Sequence, residues 1–344
     1  MTKHNHLLLL VPLFLVFIAT NMLLAQDFYI PDTISKEAQN RIKKFSYAKR
    51  NKLEFPTPSD LEGWKKIQAE VDQMYAEVSK NAVETYETTI IQTKLKGIPV
   101  TDIRPKGWID NRKVLIYTHG GGYTLCHAYN TYHISLPIAH DTGLQVVAVD
   151  YTLAPLATYE QVTDEIVAVV QALIEEGYKP QDIGIFGDSS GGGIAAAVTL
   201  KLRDRGVGLL GAVVLWSPWA DIAETGDTYF TLKDQDPIID YKKTLSKSAI
   251  AYASPKQQKN PYVSPVYGNF AKGYPPTMIQ VGTKEIFLSN AVRLYQAIDT
   301  AGQIVKLDVY EGMWHVFQSN PIDTPEAQLA RKKVAVFLKQ YLKY

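Results

Sequence analysis

The chain has 344 residues, 46% of them apolar and 21% charged, enough for a sizeable core in one large domain or two small ones. Its 36 basic and 35 acidic residues leave a formal net charge of +1, and no basic run stands out, so a nucleic-acid partner has no electrostatic support. The single cysteine, Cys126, rules out an intramolecular disulfide and any zinc site of the CxxC kind, and it reads as a small buried hydrophobe.

Residues 1–25 read as a secretory signal peptide. Lys3 gives a basic start, Leu7 to Ala19 form a thirteen-residue apolar core, and Ala25 is the small residue at the cleavage point. The alternative is an uncleaved anchor, barely long enough to span and interrupted by Thr20 and Asn21. A secreted or periplasmic location is therefore expected, with membrane association only if the leader stays, and residues 26–344 form the folded unit.

From Thr33 to Lys80 the pattern is helical. Trp64, Ile67, Val71, Met74, Tyr75 and Val78 recur at three-to-four spacing, and Asp60 is a plausible cap. Residues 84–105 then alternate and turn at Lys96-Gly97, as a hairpin does. Beyond them, short apolar runs ("VLIYTHG", "QVVAVDY", "IGIFGDS", "AVVLWSP", "TMIQVGT", "KLDVYEG") alternate with helical stretches near 131–141, 160–176, 190–205, 288–301 and 325–342. That rhythm predicts an α/β class with a mostly parallel central sheet and helices on both faces. Residues 222–275 break it and read as an insertion. In such sheets ligands bind beyond the carboxyl ends of the strands, so the residues there carry the chemistry.

The first such end is His119-Gly120-Gly121-Gly122, an HGGG motif whose glycines leave backbone N–H groups unshielded. The bland reading is a flexible loop in which glycine only permits positive φ. The third run ends in Gly187-Asp188-Ser189-Ser190-Gly191, a GxSxG match between a strand and an alanine-rich helix. Centring the motif on Ser190 would need glycine at 188, so Ser189 is the candidate nucleophile and Ser190 supplies an N–H at the helix start. A P-loop fails because Gly193 stands where lysine must be. A dinucleotide fingerprint forced on Gly191, Gly193 and Ala196 meets Gly211 where an acid is needed. Asp188 is read as structural.

A serine needs a base, and on this scaffold the order is Ser, acid, His. His315 is the only histidine after Ser189. Glu285, three residues past Gly282, is the candidate acid, placed to hold the other imidazole nitrogen; its bland reading is a solvated surface glutamate. His127, His133 and His140 lack metal-ligand spacing and read as structural or exposed. No metal or other cofactor is expected.

As an ordered set, "HGGGY", "DYTLAP", "GDSSGG", "SPWAD", "YVSPVYG", "VGTKEIFLSN" and "YEGMWHVF" resemble the hormone-sensitive-lipase-like, or bacterial family IV, serine esterases of the α/β-hydrolase superfamily. The likeness spans roughly residues 85–342. It implies an α/β-hydrolase fold with a helical cap from about 33–80 and 222–265. It also implies an oxyanion hole from Gly121, Gly122 and Ser190, and hydrolysis of small short-chain carboxylic esters through an acyl-enzyme. Thr152 and Leu156 replace an arginine and a glutamate usual in the family, Ser190 replaces an alanine, and Glu285 an aspartate. Lactone opening or acyl transfer with the same triad, and a non-catalytic binding protein on the same scaffold, are the alternatives. Oligomeric state stays open.

Overall fold

The computed structural model describes residues 28–45, 54–319 and 324–344. The expected leader lies outside them. Among the described residues no helix is long and apolar enough to cross a membrane.

The chain opens with helices α1 (Lys36–Lys44) and α2 (Leu61–Thr85). The helical pattern from Thr33 to Lys80 is thus not one continuous element. Pro56 and Pro58 precede the second helix and remove two backbone donors, so the chain runs non-helically to Asp60. Asp60 caps α2 by accepting from the Gly63 N–H at 2.9 Å, as its sequence position predicts. The helix then continues five residues past Lys80.

An antiparallel hairpin follows, β1 (Thr88–Leu95) and β2 (Ile98–Pro105), turning at Lys96-Gly97. The parallel body comprises β3 (Val114–Thr118), β4 (Gln145–Val149), β5 (Ile183–Asp188), β6 (Ala212–Trp216), β7 (Thr277–Gly282) and β8 (Val305–Tyr310). The eight strands lie in the order β1-β2-β4-β3-β5-β6-β7-β8, antiparallel only at β1–β2 and β2–β4. β3, β4, β5 and β6 are buried at every position, as strands covered on both faces must be.

The covering helices are α3 (Tyr132–Thr142), α4 (Tyr159–Glu175), α5 (Ser190–Asp204), α6 (Thr228–Thr231), α7 (Ser246–Tyr252), α8 (Leu288–Thr300) and α9 (Pro325–Leu342). α4 and α5 pack their apolar faces with one side of the sheet, including Ile116, Ile185 and Leu215. α3 and α9 cover the other, around Leu115, Tyr117 and Phe186. A third cluster ties α1 to the far end of the sheet through Ile42, Trp314, Phe317 and Ala330. The side-chain N-cap of α1, Ser35, is held from α9 by Glu326, which accepts from the Ser35 N–H at 2.7 Å and its hydroxyl at 2.8 Å. The insertion over 222–275 is built of short helical turns and loops with α6 and α7 among them.

Candidate active site

Because parallel strands point the same way, the residues following β3, β5, β6, β7 and β8 collect at one edge. The sharpest turn is after β5. Ser189 has φ 55° and ψ −124°, between the end of the strand and the first residue of α5. A non-glycine residue held there is strained, and the surroundings fix it. Its N–H donates to the Trp216 carbonyl at 2.9 Å, and its own carbonyl accepts from Trp219 at 2.8 Å. The flanking glycines are steric requirements. A Cβ at Gly191 would lie 2.1 Å from the Thr118 carbonyl oxygen, and one at Gly187 would lie 2.4 Å from that of Gly191.

The structure brings the three distant residues together. His315 Nε2 is 2.9 Å from Ser189 Oγ, and His315 Nδ1 is 3.0 Å from Glu285 Oε2. Ser189 and His315 are each 8% exposed, whereas Glu285 is fully buried. A buried carboxylate needs donors on its remaining lone pairs. Glu285 Oε1 has two, the Gly282 N–H at 2.6 Å and the Ser217 hydroxyl at 2.9 Å. Glu285 is therefore not a solvated surface residue.

Ser217 was not singled out in the sequence. It follows β6, has φ 46° and is fully buried. Its oxygen accepts from the Val316 N–H at 3.0 Å while its hydroxyl donates to Glu285. Val316, β-branched and at φ 54°, directly follows the histidine. One hydroxyl thus joins the loops after β6, β7 and β8. The available signal was position, since Ser217 sits at a strand's carboxyl end as the other site residues do. Asp236 was also missed. It is buried in the insertion, and its carboxylate accepts from the N–H groups of Ile238 and Ile239, and from that of Ile286 beside Glu285, each at 2.9 Å.

The glycine loop after β3 faces the same point. Gly121 has φ 107°, and a Cβ on it would meet the Leu125 carbonyl oxygen at 2.2 Å, so only glycine fits. Among the described residues no protein group accepts from the N–H of Gly121, Gly122 or Ser190. Gly120 donates instead to Asp188 Oδ1 at 3.0 Å, which also accepts from the Tyr117 hydroxyl at 2.8 Å. Asp188 braces the loop, in keeping with its structural reading; burial pushes its carboxyl up to about 6. His119 stacks on Tyr151 with centroids 4.1 Å apart and bonds the Gly120 carbonyl through Nδ1. Burial pushes its imidazole down to about 4, so it is neutral at pH 7.

The remaining histidines stay apart from this centre or border it without pairing. His127 bonds Asp150 at 3.0 Å, and His140 bonds Asp141 at 3.0 Å on the surface. His133 stacks on Tyr75 and is pushed down to about 4 by burial. Cys126 is buried, as read. Among the described residues no group of three or more His, Cys, Asp or Glu could hold a metal. At the altered family positions, the Thr152 N–H and hydroxyl both donate to Glu165, at 2.7 and 2.8 Å, while Leu156 is exposed.

Ser189, His315, Gly121 and Gly122 open onto a cavity of about 520 Å³. Its far walls come from the N-terminal helices (Phe45, Met74, Tyr75) and from the insertion (Ile238, Ile239, Leu245). Met74 is exposed and lines the cavity, so part of the α2 stripe faces this space rather than the core.

A family model described as an alpha/beta hydrolase fold matches residues 115–319. An acetyl-hydrolase of Streptomyces hygroscopicus is 31% identical over 252 residues, 71% of this chain and 84% of that one. Among solved structures, esterase E25 superposes with a TM-score of 0.85 at 26% identity, over 91% of this chain and 96% of the other. An esterase from the bacterial hormone-sensitive lipase family does so at 0.72 and 28%, over 81% and 98%. The chain accordingly belongs to the α/β-hydrolase family, among its hormone-sensitive-lipase-like members, and is a carboxylic ester hydrolase.

Proposed function

We propose that Ser189 is the nucleophile of a serine carboxylesterase, with His315 as its base and Glu285 as the group that orients His315. The observation carrying this is the unbroken run from Ser189 Oγ through both imidazole nitrogens to Glu285, at 2.9 and 3.0 Å. In this reading Ser189 Oγ attacks the ester carbonyl while its proton passes to His315 Nε2. The N–H groups of Gly121, Gly122 and Ser190 donate to the developing oxyanion, one such donor being worth about 3 to 4 kcal/mol of barrier. The tetrahedral intermediate expels the alcohol, which takes the proton from His315 and leaves an acyl-Ser189 ester. Water, deprotonated by the same imidazole, then releases the acid and restores the serine.

Ser217 positions the acid and the loop bearing the base. The segments about 33–80 and 222–265 act as the cap, a reading supported by the residues each contributes to the cavity wall. Short acyl groups are the favoured substrates, supported by the likeness to a relative named as an acetyl-hydrolase. An N-terminal leader directing export completes the proposal. The test is Ser189→Ala, which should abolish hydrolysis of p-nitrophenyl acetate while the protein stays folded. A folded variant that kept the activity would remove the nucleophile assignment.

A further inference from the structure

The cavity over Ser189 is lined mainly by apolar side chains, and Arg41 is the one arginine or lysine side chain among its described lining residues. Arg41 is half-buried in the last turn of α1. Its guanidinium lies 5.0 Å from the centroid of the Phe45 ring, and Phe45 packs edge-on against Trp314, the neighbour of His315, at 5.6 Å. Among the described residues no acid pairs with it. Burial lowers its pKa, with no carboxylate offsetting that effect.

Among the described residues, none of the other ionisable groups lining the cavity forms an ion pair with this guanidinium. Asp188 is engaged by Tyr117 and Gly120. Asp240 accepts from the Lys243 N–H at 3.2 Å and forms no ion pair with Arg41. The His133 imidazole is pushed down to about 4 and is neutral. Lys43 and Lys44 share the helix end with Arg41 but are exposed, and the helix macrodipole accounts for them. It does not account for a half-buried arginine lining a cavity, where the Phe45 ring offsets part of the burial but supplies no anion. A partly desolvated charge is unfavourable without a counter-ion, and the planar guanidinium fork matches a carboxylate.

We propose that Arg41 is an anion-binding subsite and that the preferred substrates are esters carrying a carboxylate away from the bond that is cleaved. This rests on the assignment of Ser189 as the nucleophile at the same cavity.

The test compares matched esters on the full enzyme. For a carboxylate on the acyl side, mono-p-nitrophenyl succinate is set against its succinamide counterpart. For the alcohol side, para-acetoxybenzoate is set against para-acetoxybenzamide. At least one carboxylate ester should exceed its neutral partner in kcat/KM by about tenfold or more. Added salt should shrink that advantage. In Arg41→Gln the ratio should fall to about one, while Arg41→Lys, which keeps the charge but loses the fork, should retain part of it. A circular-dichroism melt checks that the variants fold. No carboxylate preference in either pair, or a preference that survives in folded Arg41→Gln, would overturn the proposal. If neutral esters are turned over in a Ser189-dependent way without such a preference, only the Arg41 subsite fails. If folded Ser189→Ala still hydrolyses them, the underlying assignment fails instead.

Discussion

Replacing Glu285 with glutamine probes how the buried acid acts, because the geometry dictates which way the amide must turn. Oε1 accepts from the Gly282 N–H at 2.6 Å and the Ser217 hydroxyl at 2.9 Å. The Gly282 N–H can only donate, so the amide oxygen of glutamine must sit there, and the NH2 must face His315 Nδ1. The imidazole must then accept at Nδ1 and carry its proton on Nε2, which no longer can take one from Ser189. Turning the amide over would set two donors against each other at Gly282, at a cost of about 1 to 3 kcal/mol. Even that minor form lacks the negative charge that stabilises the imidazolium. At the 3.0 Å separation that attraction is about 5.5 kcal/mol for an effective dielectric of 20. A loss in kcat on the order of 10³ to 10⁴ follows, about 4 to 5 kcal/mol of barrier. The assay is steady-state hydrolysis of p-nitrophenyl acetate, with a urea melt to show that the variant is folded. A folded Glu285→Gln enzyme with more than about a tenth of wild-type kcat would refute the reasoning.

Ser217→Ala should destabilise the fold by about 1 to 3 kcal/mol, read from the urea midpoint, because it removes a donor from the buried Glu285 carboxylate and leaves the half-buried Val316 N–H without its acceptor. It should also lower kcat more than it raises KM, since it disturbs the loops bearing Glu285 and His315. Gly191→Ala should cost about 3 kcal/mol or more, since its new methyl would press on the Thr118 carbonyl; thermal unfolding measures this. Asp188→Asn keeps an oxygen for Tyr117 and Gly120 but removes a charge that burial opposes. The Asp188 carboxyl binds its proton more tightly folded than unfolded, so its contribution to stability is fully present below pH about 4 and is lost as pH rises through about 6. The asparagine variant should therefore lose less stability between pH 4 and 7 than wild type, as measured by urea unfolding across that range.

The strands and the site were legible to different depths. Runs such as Val114–Thr118 are apolar throughout because both faces are covered, so the parallel body could be read locally. The turn at Ser189 announces itself through the glycines that steric contact demands. The meeting of His315 and Glu285 beside Ser189 is what chain order leads one to expect, because parallel strands deliver their ends to one edge. Ser217 was not legible, since its two bonds reach residues 68 and 99 positions away. Arg41 was hidden for a similar reason: a basic residue at a helix end looks ordinary until the helix is seen against the cavity. The non-helical entry to α2 was available in Pro56 and Pro58, but the strong stripe from Trp64 onward masked it.

The most direct test of the account is to quench wild-type enzyme in acid during p-nitrophenyl acetate turnover and locate the acyl group by peptide mass spectrometry. The expected result is one acetyl group, on the peptide bearing Ser189, and no trapped acetyl group in folded Ser189→Ala. Acetylation at another residue, or turnover with no trapped acyl-enzyme under conditions where deacylation is slowed, would contradict it.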